Sequence, residues 1–254
     1  MQRSFSYILL ITWFFLFWNC KNQYVISTIE NKNLIVSDSV TPLDSQLVSI
    51  YLPYKNKLEK DMSRIIAVSA EEMVKGRPES SLTNFLADLL LAEGNEIAME
   101  LGENIHPSIS YYNYGGIRTF IPKGKITVGK IFELMPFENE LVFLELSGAQ
   151  VQDFLNIIAE KGGDSVGGVR FKISENNAKY VEIEGKPLNE KEHYWLVTND
   201  YVAAGGDGLE VFTRRRNFVE GNIKIRDVII AHLEKIHKKG QVISAKTDGR
   251  ISYE

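Results

Sequence analysis

The sequence predicts an α/β (α+β) fold, a single domain with a mixed β-sheet flanked by helices. Three observations carry that reading. The chain has 254 residues, 44% of them hydrophobic, which is enough to bury one sizeable core. From Val48 onward, segments with apolar residues at helical spacing interleave with short strand-like runs at hairpin spacing. No internal repeat or low-complexity block interrupts the alternation.

Taken in order, Leu52, Leu58, Met62, Ile65 and Ile66 predict an amphipathic helix across roughly 49–66. A second helix runs from Ser81 to Ala92, with Leu82, Phe85, Leu86, Leu89 and Leu90 on one face and Gly94 as its stop. Ile109–Asn113 is a short strand, and Thr127 caps a helix carrying Val128, Ile131 and Phe132. Asn139–Leu146 reads as a strand, after which Ser147-Gly-Ala-Gln150 supplies a capping box. The helix opened there carries Val151, Phe154, Leu155 and Ile158 and ends at Gly162-Gly163. Strands follow at Val169–Ile173, Tyr180–Ile183 and Tyr194–Thr198, and a last helix lies near 224–238.

Composition removes several classes of function. With 33 acidic against 29 basic residues and a net charge of −4, the chain lacks the basic footprint of a general nucleic-acid binder. One cysteine excludes an internal disulfide framework, and four histidines leave little material for a histidine-rich metal centre.

The N-terminal end has its own logic. Arg3 precedes an apolar run from Tyr7 to Trp18, shorter than the roughly 20 apolar residues of a spanning helix, so it reads as an export signal. Cys20 closes that run, which predicts cleavage before it and acylation of its sulfur and freed amine. The expected organisation is a lipoprotein signal at 1–19, a flexible tether at 20–46 and a folded domain at 47–254, held at the bacterial cell envelope (periplasm or outer surface). Trp18 and Asn19 are bulkier than the small residues usual before such a cysteine, so cleaved secretion and an uncleaved anchor remain open. So does an edge strand at Tyr24–Ile29 or Leu34–Val36 within the tether.

Two glycine clusters are the candidates for chemistry. Asn113-Tyr-Gly-Gly-Ile-Arg118 follows a strand and combines close backbone approach with the planar donor fork of Arg118. Tyr201-Val-Ala-Ala-Gly-Gly-Asp-Gly208 follows another strand and sets Asp207 near an aromatic residue. Neither has the spacing of a GxxxxGKS phosphate loop, and either alone is more often a tight structural turn.

Together with two further segments they resemble a known family, the C-terminal, substrate-binding domain of the 5′-nucleotidase/UDP-sugar hydrolase enzymes. Asn84-Phe-Leu-Ala-Asp88, Asn113-Tyr-Gly-Gly-Ile-Arg118, Leu134-Met-Pro-Phe-Glu-Asn139 and Tyr201…Gly205-Gly-Asp-Gly208 occur in the family's order, and Asp248-Gly-Arg-Ile251 resembles its last strand. The resemblance runs from about Leu47 to the end. It implies a nucleobase held between the rings of Phe137 and Tyr201, where the family usually has phenylalanine at the second position. It further implies ribose recognition by Asp207, phosphate or ribose contact by Arg118, and base or sugar contacts by Asn113 and Asn139. Arg77 stands near a second phosphate arginine of the family, about one residue out of register. Asn84 reads as a structural hydrogen-bonding residue on its helix. Stacking suits this use, because every base has a π-face.

In the family, hydrolysis belongs to a separate N-terminal domain in which two metal ions activate water. Its Asp-x-His, Gly-Asn-His-[Asp/Glu] and Gly-His-x-His motifs do not occur here: the residues two before His106, His193, His232 and His237 are Asn104, Lys191, Ile230 and Lys235. The expectation is therefore a nucleotide-presenting domain with no cofactor of its own, divalent metals residing in a partner metallophosphatase subunit. The alternative is a non-catalytic nucleotide- or nucleoside-binding envelope lipoprotein. No nucleic-acid partner is expected.

Overall fold

The structure, a computed structural model, describes residues 31, 33, 43–102 and 104–254. The expected signal segment, Cys20 and nearly all of the expected tether lie outside the described residues, as do both edge-strand alternatives. Ile50–Glu254 forms one compact unit. Among the described residues no helix is long and apolar enough to cross a membrane.

The first helix, α1, spans Ser45–Met62 rather than 49–66 and buries none of its residues. Ile65 and Ile66 belong instead to β1 (Ile65–Ser69), which is rich in β-branched residues (Ile65, Ile66 and Val68) and pairs antiparallel with β3 (Gly124–Thr127). Helix α2 (Ser81–Glu100) starts at a Ser80/Thr83 capping box and passes through Gly94 without stopping. A Cβ at Gly94 would lie 2.9 Å from Val197 Cγ2, so this glycine marks a close approach of helix to sheet, not a terminus.

The central sheet has the order β10-β4-β9-β2-β5. Its strands are β2 (Pro107–Tyr112), β4 (Glu140–Ser147), β5 (Ser165–Gly167), β9 (His193–Asn199) and β10 (Asn217–Lys224). β2 and β9 are parallel, and every other neighbouring pair is antiparallel. A second, four-stranded sheet has the order β11-β6-β7-β8, formed by β6 (Val169–Ser174), β7 (Asn177–Ile183), β8 (Lys186–Pro187) and β11 (Ile251–Tyr253). Among the described residues the expected mixed sheet is thus the largest of three. Its helical neighbours are α3 (Val128–Leu134), α4 (Gly148–Glu160), the one-turn α5 (Asp200–Ala203) and α6 (Ile225–Lys238). Thr127 caps α3 and the Ser147/Gln150 box caps α4, as the sequence predicts.

Alternation along the central strands builds two cores. Leu141, Phe143 and Val197 join residues of α2, α3 and α6 on one face. Val142, Leu144, Leu146 and Leu196 join α4, β6 and β7 on the other. The inner strands, buried on both faces, leave mainly their ends for function.

Candidate functional site

One cavity opens at a single end of three adjacent central strands. The two parallel neighbours β2 and β9 both end there, and antiparallel β4 begins there, so Asn113–Arg118, Tyr201–Asp207 and Phe137–Asn139 converge although far apart in sequence. Sites at the carboxyl ends of parallel strands follow from this topology. The cavity has a volume of about 640 Å³, within the range of small-molecule sites, and is lined by Asn113, Gly115, Gly116, Arg118, Phe137, Glu138, Asn139, Tyr201 and Asp207. Six of the seven candidate residues are therefore in one place.

Phe137 and Tyr201 are 47% and 48% exposed, an unusual state for large rings that share one cleft. Asp200, at the start of α5, ties their two segments together. Its Oδ1 accepts from Asn139 Nδ2 (3.0 Å), from the Glu140 amide (3.2 Å) and from the Tyr201 amide (2.8 Å). Beneath Phe137, buried Arg226 lies 4.0 Å over the Phe132 ring, with Nη1 at 3.4–3.5 Å from the carbonyls of Met135, Pro136 and Phe137. Arg226 and Lys224 both donate to Glu138, which holds that carboxyl down at about 2.

Asp207 sits in a left-handed backbone conformation, φ 55°, and both of its carboxylate oxygens are engaged. Tyr201 donates from its hydroxyl to Oδ1 at 3.0 Å, and Asn113 Nδ2 donates to Oδ2 at 2.7 Å. Buried Asn199 donates in turn to Asn113 Oδ1 (3.1 Å), and Lys161 Nζ donates to the Asp207 carbonyl (2.5 Å).

Arg118 donates to the Gly115 carbonyl (3.2 Å) and lies 5.9 Å from the Phe137 ring centroid. Arg77 does not line the cavity; its guanidinium stacks on the Tyr114 ring at 4.4 Å. Lys75 reaches the same ring (4.3 Å) and donates to the carbonyls of Tyr114 and Ile117, stapling the Asn113–Arg118 turn. Burial, with Arg118 and Arg77 nearby, moves the Lys75 ammonium below its usual range. Among the described residues, none of these three cations forms an ion pair with a carboxylate. Asn84 has the structural role expected of it, donating to Glu79 and to the Lys246 carbonyl.

The donor set of this cavity does not fit a metal pair. Its carboxylates are Glu138, held by two cations, and Asp207, held by Tyr201 and Asn113, and no histidine lines it. Asp200, Arg226, Lys75, Lys161 and Asn199 went unnoticed in the sequence, because each acts through a partner distant along the chain.

The comparisons with known proteins agree with this architecture. Residues 64–214 match the family model described as 5′-nucleotidase, C-terminal domain, and the chain belongs to that family. The trifunctional nucleotide phosphoesterase protein YfkN of Bacillus subtilis is 33% identical over 189 residues, covering 68% of this chain and 12% of that protein. The 5′-nucleotidase of Vibrio vulnificus is 28% identical over 197 residues, covering 76% of this chain and 34% of that one. The crystal structure of a 5′-nucleotidase precursor from Thermus thermophilus superposes with a TM-score of 0.68 at 28% identity, covering 84% of this chain and 44% of its own. This chain thus spans less than half the length of each, and they align to it through their C-terminal portions.

Proposed function

We propose that this chain is the nucleotide-presenting half of a split 5′-nucleotidase, anchored at the cell envelope through Cys20. In this reading Phe137 and Tyr201 hold the base, Asp207 takes the ribose, and Arg118 meets the phosphate. A separate metallophosphatase polypeptide supplies the metals and the attacking water. The observation that carries the reading is the convergence in one cavity of two half-exposed rings, a fixed carboxylate and an arginine with no carboxylate partner among the described residues. Such a cavity presents a base, a sugar and an anion in sequence. Phosphomonoester hydrolysis is among the slowest uncatalysed reactions, so presentation alone gives no turnover.

The test is calorimetric titration of the purified full chain with AMP and then adenosine, alongside a phosphate-release assay with added divalent metal. Tighter binding of AMP than adenosine, without phosphate release, is expected. Phosphate release by the chain alone would overturn the split arrangement. Equal affinity for both ligands would favour a nucleoside-binding protein instead. Phe137→Ala and Tyr201→Ala are each expected to cost about 1–3 kcal/mol of AMP binding, the loss typical of a stacking ring; unchanged affinity in both would overturn the assignment of the cavity.

A further inference from the structure

Tyr201 differs from a plain stacking residue in one respect, its hydroxyl. That group donates to Asp207 Oδ1 while Asn113 donates to Oδ2, so each carboxylate oxygen carries one protein hydrogen bond. An ionised carboxylate offers about four lone-pair positions, two on each oxygen. The two donors therefore leave acceptor capacity on each oxygen, at the end of a carboxylate held from two sides. Two acceptors so placed match two adjacent hydroxyls of one ligand.

The surroundings fix this arrangement from behind. Asn199 orients the Asn113 amide through Asn113 Oδ1, and Lys161 holds the Asp207 carbonyl. A Cβ at Gly206 would lie 2.6 Å from Tyr201 Cε1 and Cζ, so the absence of a side chain there lets the phenol end reach Asp207. Tyr201 therefore joins the apolar platform to the polar end of the cavity within one residue.

We propose that the Tyr201 hydroxyl is a specificity-determining group which, by locking Asp207, makes the cavity select ligands with a vicinal diol, and so ribonucleosides over deoxynucleosides. This rests on the nucleotide reading above and deepens it. A donor at Oδ1 is not needed for stacking; its consequence falls on the sugar. Without it the carboxylate turns about its Cβ–Cγ bond and meets a diol and a single hydroxyl on more equal terms.

The experiment measures binding of adenosine, 2′-deoxyadenosine and 3′-deoxyadenosine to the full chain and to its Tyr201→Phe, Tyr201→Ala and Asp207→Ala variants. The unaltered protein is expected to prefer adenosine over either deoxynucleoside by about 10-fold or more, the usual worth of a hydrogen bond to a charged group. Tyr201→Phe keeps the ring, so 2′-deoxyadenosine affinity stays within about 2-fold while the preference shrinks to about 3-fold or less. Tyr201→Ala weakens all three ligands, and Asp207→Ala abolishes the preference. A preference unchanged in Tyr201→Phe, or a loss equal for all three nucleosides, would overturn the proposal while leaving the nucleotide reading intact. Retention of the preference in Asp207→Ala would also overturn it. Failure of the unaltered chain to bind any of the three would overturn the nucleotide reading and this inference with it.

Discussion

Asp164 is 3% exposed, accepting from the Ser165 amide at 2.8 Å and from the Tyr111 hydroxyl at 3.3 Å. Burial pushes its carboxyl up to about 6, against the partial relief of those bonds and of Arg77 and Lys161. A folded-state value above the ordinary 3.8 means that the fold prefers the protonated acid. Its stabilising contribution is full below about pH 4 and is lost as pH rises through about 6. Asp164→Asn, which imitates the neutral acid, should therefore gain on the unaltered protein between pH 4 and 7, by up to roughly 3 kcal/mol. Urea midpoints of both proteins across that range check this, and parallel profiles would contradict it. At the same scale, Asn113, Arg118, Phe137, Asn139, Tyr201 and Asp207 were readable because short motifs carry them. Arg226 was not: its position in α6 reads as ordinary helix, and only the fold sets it under the Phe137 segment.

Among the elements, the helices with capping boxes and the longer buried strands were legible, because caps and apolar runs are local signals. Others were not: β10 is eight residues long, but its mostly exposed pattern carries no apolar run. β5 has three residues and pairs with β2 through a register that nothing in Ser165–Gly167 announces. Ile65 and Ile66 satisfied a helical period and a strand run equally well, and pairing with β3 decided for the strand. Gly94 misled in a more instructive way. A glycine within a helix is either a stop or a place of close approach, and only the position of Val197 distinguishes them. Gly94→Ala tests this directly. Helix propensity alone would make it stabilising by up to about 1 kcal/mol. The close contact with Val197 instead predicts a loss of about 1–3 kcal/mol from overpacking, measured as a lowered urea midpoint.

At the scale of the molecule, the two cores are joined by polar connections as well as by the central sheet. Arg250 forms a fork on Asp88 of α2, pairs with Asp248, and donates to the Val166 carbonyl of β5, while β11 beside it lies parallel to β6. The arginine is buried, whereas both carboxylates keep about half their side-chain surface in water. Arg250→Ala is therefore expected to cost about 1–3 kcal/mol, as lost charge-assisted hydrogen bonds, and not the larger penalty of stranding a buried charge. Arg250→Lys should recover only part of it, since an ammonium cannot reproduce the fork. Thermal or urea unfolding of the three proteins reads the order.

The meeting of three loops at one end of adjacent strands also bears on how such a molecule changes over generations. The spacing of the strands, about 4.8 Å between neighbours, belongs to the backbone ladder and is indifferent to the side chains at its tips. Phe137, Asn139, Tyr201 and Asp207 belong to neither core, so in the proposed reading their replacement changes what is recognised and leaves both cores in place. In that reading, recognition and folding are inherited almost independently. A library confined to those four positions should yield mostly folded proteins with altered ligand preference, whereas one confined to β4 or β9 should yield mostly unfolded ones.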